Sequence, residues 1–238
     1  MNYLGFITFL SYLFVGSLGI AQQGDKANEK DIISSLNWKK WSPDVVPVFT
    51  AEESLAQFKV APGFKVELVA AEPMVKDPVF VDWDDEGRMW VGELRTYMRD
   101  LDGTGENERM SRVMVLEDTD KDGVMDKATP FVDDMVNVRC IAFVEGGVLV
   151  VESGALWLCK DKDGDLRCDE REKLIDFATA AHSNIEHAEN ALHYALDNWM
   201  YNSKSSRKLA WRKGKLIEMP AKPRGQWGMG SDAYGRLY

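Results

Sequence analysis

The run Ile141-Ala142-Phe143-Val144-Glu145-Gly146-Gly147-Val148-Leu149-Val150-Val151 decides the fold. Two apolar stretches, each too short for a helix, flank a Glu-Gly turn, and that pattern is a β-hairpin. The same unit recurs on both sides. Upstream, Val79–Trp83 and Met89–Glu93 flank Asp84-Asp85-Glu86-Gly87. Downstream, Leu192–Leu196 and Trp199–Tyr201 flank Asp197-Asn198, and Trp227–Gly230 with Arg236–Tyr238 opens a fourth unit. Second hairpins lie between these: Arg112–Leu116 with Thr129–Val132, Leu156–Leu158 with Lys173–Phe177, and Lys208–Trp211 with Leu216–Met219. Two hairpins per unit make four strands, and repeated four-stranded units predict an all-β fold, a β-propeller of the six-bladed type. This chain would hold three blades and the start of a fourth. The second strands begin near residues 88, 147, 199 and 236, and insertions such as Tyr97–Met110 account for the uneven spacing. A β-sandwich is the alternative at this point, because strands alone do not separate the two. Propellers close to remove strand edges. A last strand stopping at Tyr238 therefore reads as part of a longer protein.

Outside the repeats, residues 22–60 read as an N-terminal extension and 61–238 as the partial propeller. Thr50 with Glu53 marks a capped short helix, Pro62-Gly63 breaks it, and Val66–Val69 reads as a first β run. Trp38 and Trp41 are apolar anchors in the extension. The chain has 238 residues, 45% hydrophobic and 29% charged, with 39 acidic against 29 basic side chains and a net charge of −10. That balance is globular. The acidity argues against a nucleic-acid partner, whose phosphates want clustered Lys and Arg. Residues 1–24 carry no charged side chain, and Gly19 and Ala21 suit a signal-peptide cleavage site after residue 21. An uncleaved anchor is the other reading of the leader. Either one exports the chain to the periplasm or beyond.

A duplicated acidic loop is the strongest chemical signal. Asp118, Asp120, Asp122 and Asp126 recur 43 residues later as Asp161, Asp163, Asp165 and Asp169. Alternating carboxylates in a tight loop converge on one point, and Ca²⁺ takes six to eight such hard oxygens. The first copy has Gly123 at the sixth place and Thr129 at the twelfth. The second has Leu166 at the sixth and Glu172 at the twelfth. Strands flank both, so these are not EF-hands. They read as calcium-bound hairpin turns with a structural role, against the alternative of solvated Asp-rich turns.

Other candidates for chemistry are sparse. His187 is a candidate general base in the polar stretch before the third unit. His182, His187 and Glu186 match no standard metal spacing, and His193 alternates in a strand. Glu93, Arg95 and Tyr97 share one face at period two. They would line a polar site or form a cross-strand salt-bridge ladder. Cys140, Cys159 and Cys168 form no C-x-x-C motif. Cys159 and Cys168 flank the second acidic loop and would either pair in an oxidising compartment or stay as buried thiols.

Several segments resemble the "membrane-bound dehydrogenase" propellers of planctomycete-type and marine bacteria: Phe64–Pro73, Asp85–Arg95, Leu116–Gly123, and His187–Leu192 leading to Leu196–Tyr201. They cover roughly residues 50–238 in the family's order. That family is similar to the quinone-dependent glucose/sorbosone dehydrogenases. The resemblance implies periplasmic oxidation of a sugar or alcohol, with a quinone such as PQQ accepting hydride and a His acting as base. His187 is the position that matches. It also implies a cytochrome c domain or protein as electron acceptor. The haem motif C-x-x-C-H does not stand in this chain, so haem c would belong to a longer parent protein. The other expectations are a non-catalytic calcium-stabilised propeller for carbohydrate or protein binding, and a lactonase-like hydrolase.

Overall fold

The computed structural model describes residues 48–100, 102–176 and 188–238. The leader, Trp38, Trp41, His182, Glu186 and His187 lie outside them. Residues Thr50–Tyr238 form one compact unit. It opens with α1 (Ala51–Gln57), started by the expected capping box: Glu53 N–H donates to the Thr50 hydroxyl and Thr50 N–H to the Glu53 carboxylate. Among the described residues no helix is long and apolar enough to cross a membrane.

Twelve strands follow among the described residues. Blade 1 holds β1 (Pro78–Trp83), β2 (Met89–Glu93), β3 (Ser111–Glu117) and β4 (Lys127–Met135). Blade 2 holds β5 (Cys140–Val144), β6 (Gly147–Glu152), β7 (Ala155–Lys160) and β8 (Glu170–Asp176). Blade 3 holds β9 (Asn190–Tyr194), β10 (Met200–Ser203), β11 (Arg207–Arg212) and β12 (Lys215–Pro220). Each sheet is an antiparallel meander in chain order. A further hairpin begins where Ser231 bridges Leu237 and Gly230 exchanges backbone hydrogen bonds with Tyr238. Val66–Val69 departs from its expected role as a β run. It joins no ladder, and the Val69 carbonyl instead accepts the Met125 N–H at 2.8 Å.

Packing separates the propeller from the sandwich. A sandwich leaves one face of each sheet to solvent, but blade 2 is covered on both. Val148 and Val150 face blade 1, in a cluster with Trp90, Val113, Val115 and Phe131. Leu149 and Val151 face blade 3, in a cluster with Leu192, Met200 and Leu209. Alternate residues of one strand thus fill alternate interfaces, so β6 reads as an unbroken apolar run. The first strands of the three blades, β1, β5 and β9, line one cavity of about 590 Å³. Innermost strands around a shared space are the arrangement of propeller blades.

Two close approaches fix the strand spacing. A Cβ on Gly147 would lie 2.5 Å from the Cys159 carbonyl oxygen of the neighbouring strand, and one on Gly92 would enter the Phe80 ring. The first-hairpin turns are caged by aspartates. Asp84 accepts from the Arg88 and Glu86 N–H groups and from Trp90 Nε1 at 2.8 Å. Asp232 accepts from the N–H groups of Tyr234 and Arg236 and from the Tyr238 hydroxyl, and Asp197 from Trp199 N–H and the Tyr201 hydroxyl. Blade 2 lacks this aspartate. At its turn the Glu145 carbonyl accepts Trp211 Nε1 from blade 3 at 3.0 Å.

Candidate functional site

Antiparallel meanders sort the loops onto two ends. The aspartate turns and both acidic loops (118–126 and 161–169) lie at one end. The connections after β2, β4, β6, β8, β10 and β12 lie at the other.

At the first end, Asp118, Asp120 and Asp126 bring carboxylate oxygens within 4.8 Å of one another, and Asp161, Asp163 and Asp169 do the same. The two loops share a backbone. Lys121 and Gly123 take φ +65° and +94° in the first, and Gly164 and Leu166 take +82° and +65° in the second. The glycine has changed places between the copies while both left-handed turns stay. Leu166 keeps its strained backbone while its side chain packs on the core between blades 1 and 2. Asp118 accepts N–H bonds from Lys121, Asp122 and Gly123, and Asp161 from Asp163, Gly164 and Leu166. The Gly123 N–H and its neighbours hold the Asp118 carboxyl below its ordinary range. For Asp161, burial pushes upward but the loop N–H groups prevail and its value falls. Asp122, Asp165 and Glu172 stand outside the trios. Asp122 and Asp165 accept the N–H groups of Val124 and Arg167, and Glu172 pairs with Lys160 along β8. Three convergent carboxylates make a small, hard, anionic oxygen cluster, the donor set Ca²⁺ prefers.

At the opposite end stands Arg139, just before β5. It is 2% exposed. Its Nη2 reaches Ser153 Oγ at 3.4 Å, while Nε and Nη1 have no hydrogen-bond partner among the described residues. Burial pushes its pKa down to about 10. The Trp227 indole lies over the guanidinium, 5.5 Å to the ring centroid. Neighbouring side chains fix this corner. Asn190, buried at the start of β9, donates to the Ala188 and Gln226 carbonyls and accepts the Gly228 N–H at 2.7 Å, which ties down the segment carrying Trp227. The Ser203 hydroxyl donates to the Gly228 carbonyl. The buried Thr96 hydroxyl donates to Asn137, whose amide donates to the Glu106 carbonyl and anchors the 94–110 insertion beside Arg139. Tyr97, Leu94, Gln226 and Trp227 line a cavity of about 770 Å³. Trp227 and Arg139 also line the inner cavity shared by the first strands.

Of the residues singled out in the sequence, Glu93 is fully buried. It accepts Lys76 N–H at 2.9 Å and Arg112 Nε at 2.5 Å, with Arg95 Nε at 3.7 Å. Glu152 is its counterpart in blade 2 and accepts Val136 N–H and Trp157 Nε1, both at 2.7 Å. Both carboxylates thus clamp the chain entering their own blade. Tyr97 faces the cavity at the Arg139 end. His193 is hydrogen-bonded to Ser231 at 3.0 Å. His187 falls in the β8–β9 connection outside the described residues, and the strand ends that flank it are at the Arg139 end. Arg139 itself was overlooked in the sequence. Its signal is a lone cation between Val138 and the apolar run Cys140–Val144, with no acid beside it.

Four-stranded blades around a shared inner cavity define the class as a β-propeller. A family model described as "Domain of unknown function (DUF7133)" matches residues 50–238, and the chain belongs to that family. No curated protein matches the chain in sequence. Among solved structures, the holo form of the pyranose dehydrogenase PQQ domain from Coprinopsis cinerea is similar, with 13% identity and a TM-score of 0.43. That similarity covers 61% of this chain and 31% of the other.

Proposed function

We propose that this chain is the propeller part of an exported dehydrogenase, with an acidic quinone cofactor and a sugar or alcohol substrate bound at the Arg139 end. The observation that carries this reading is the buried Arg139 guanidinium, two of whose donor nitrogens have no hydrogen-bond partner among the described residues. An unpaired buried cation is costly, and an anionic ligand relieves that cost. The residues fit a carboxylated aromatic ring system such as PQQ. Arg139 would hold a carboxylate through charge-assisted hydrogen bonds, and the exposed Trp227 ring offers a stacking face. When bound, such a quinone supplies a two-electron acceptor. Asn190 and Asn137 hold the walls of the site in place, and Tyr97 borders the space left for a hydroxylated substrate. His187 is proposed as the base that takes the substrate hydroxyl proton, and a cytochrome c domain or protein as the eventual electron acceptor. The two aspartate trios are proposed as Ca²⁺ sites. Their place at the far end of the blades makes that role structural, a tie across each β-hairpin.

The test is to incubate the 238-residue chain with PQQ and Ca²⁺ and to follow reduction of an artificial electron acceptor with aldoses and polyols. Quinone-dependent turnover that Arg139→Met abolishes supports the reading. Tight ligand binding with no electron transfer from any such substrate would favour the non-catalytic binding propeller.

A further inference from the structure

We propose that Cys159 and Cys168 form an oxidation site, a thiol pair that closes into a disulfide across the second acidic loop. All three cysteines are free thiols. Cys159 is fully buried near the end of β7, and Cys168 is half-buried two residues before β8. Lys160 pairs with Glu170 across the ladder, and Asp169 N–H donates to the Lys160 carbonyl at 2.9 Å. The returning chain is therefore held against the end of β7, where Cys168 packs against the cluster that contains Cys159 and its thiol donates to the Glu170 carbonyl at 3.2 Å. Both backbones are pinned, since Cys168 N–H donates to the Phe131 carbonyl of blade 1 at 2.7 Å and Cys159 lies in the β6–β7–β8 ladder. Two cysteines that share one packed cluster between fixed backbones can reach an S–S bond of about 2.05 Å by side-chain rotation, with the Cys168 thiol leaving the Glu170 carbonyl.

The duplicated loop supplies an independent measure of the geometry. The residues 43 positions upstream are Leu116 and Met125, and these also pack together, on the opposite face of blade 1. The two places thus share one packed cluster in both copies, filled by apolar side chains in one and by thiols in the other. Cys140 is no competitor, because it packs between blades 2 and 3 while Cys159 packs between blades 1 and 2.

The half-buried Cys168 is the point of entry. With a small disulfide as oxidant, such as oxidised glutathione, the Cys168 sulfur attacks one sulfur, its S–S bond breaks and one glutathione thiol leaves. Cys159 then loses its proton and attacks the Cys168 sulfur, which releases the second glutathione thiol. The protein loses two protons and two electrons, and one glutathione disulfide takes them up to become two thiols. The product ring encloses Asp161, Asp163 and Asp165.

The test equilibrates the full chain in reduced and in oxidised glutathione, then alkylates, unfolds and digests it. Trypsin cuts at Lys160, Lys162 and Arg167, so a 159–168 link holds otherwise separate peptides together. The expected result is that linked peptide in the oxidised sample, with Cys140 alone alkylated on unfolding. The oxidised chain should melt roughly 5 °C or more above the reduced one, because a short ring is closed in the unfolded state. Cys159→Ser should leave a lasting glutathione adduct on Cys168. Cys168→Ser should lose both link and adduct, which keeps the test decisive if the buried variant does not fold. Full alkylation of Cys159 and Cys168 after oxidation, or a lasting adduct on Cys168 in the unmutated chain, overturns the proposal.

Discussion

Replacing Arg139 with methionine should stabilise the protein. Removing a charge from a buried ion pair normally costs about 3–5 kcal/mol, because the partner is left stranded. Arg139 has no carboxylate partner among the described residues, and its only side-chain hydrogen bond is a 3.4 Å contact to Ser153. Its pKa, down to about 10 from an ordinary 12.5, means that the fold disfavours the charged form by roughly 3 kcal/mol. Methionine fills a similar volume without that charge. Against the gain stands the contact with the Trp227 ring, worth about 1 kcal/mol. The balance is a net gain of about 1–2 kcal/mol, or a melting temperature higher by roughly 3–6 °C. Thermal unfolding of both chains at neutral pH, without ligand, reads the difference directly. At that pH the guanidinium is charged in both folded and unfolded chains, so its penalty is fully present. The penalty fades only as pH rises through about 10. A loss of 3 kcal/mol or more in Arg139→Met would refute the reasoning, because it would mean that a carboxylate already pairs with this cation.

Three further outcomes follow from the loops and strands. Gly147→Ala should cost about 3 kcal/mol, seen as a lower guanidinium chloride midpoint, because its Cβ would press on the Cys159 carbonyl inside a fixed register. Lys121→Gly should gain about 1 kcal/mol in the same assay, since Lys121 holds φ +65° where the second loop has Gly164. Burial would raise the Asp84 carboxyl, but donation from Trp90 and Arg88 outweighs it and lowers the value. The Arg236 N–H and its neighbours lower Asp232 in the same way. Carboxyls depressed in the folded state contribute above the unfolded value near 3.9 and lose that contribution as pH falls through the folded value. Urea midpoints should therefore be flat above about pH 5 and fall below about pH 4. Asp84→Asn should cost about 1–3 kcal/mol at pH 7, and the cost should shrink as pH falls below about 4 toward the depressed folded value.

The hairpins were legible because each turn carries its own chemistry. Asp84, Gly87, Asp197 and Asp232 mark the places where the chain must reverse, and apolar runs of strand length flank them. What covers each sheet was not legible. β6 is apolar throughout Val148–Val151, so period-two alternation is hidden, and the assignment of Val150 to one interface and Leu149 to the other needs the neighbouring blades. Val66–Val69 has the composition of a strand but no sheet edge to join among the described residues. The acidic loops showed in the repeat, but the choice of Asp118, Asp120 and Asp126 over Asp122 depends on backbone angles. Leu166 is a poor sequence marker for a left-handed turn. Arg139 was missed because a single cation beside a strand reads as a surface residue until its burial is known.

Binding of PQQ to the unmutated chain and to Arg139→Met tests the central claim most directly, with quenching of tryptophan fluorescence as the signal. A charge-assisted hydrogen bond is worth about 1.5–3 kcal/mol, so the account predicts saturable quenching and an affinity at least tenfold weaker in the variant. Equal affinities, or no quenching in either chain, would contradict it.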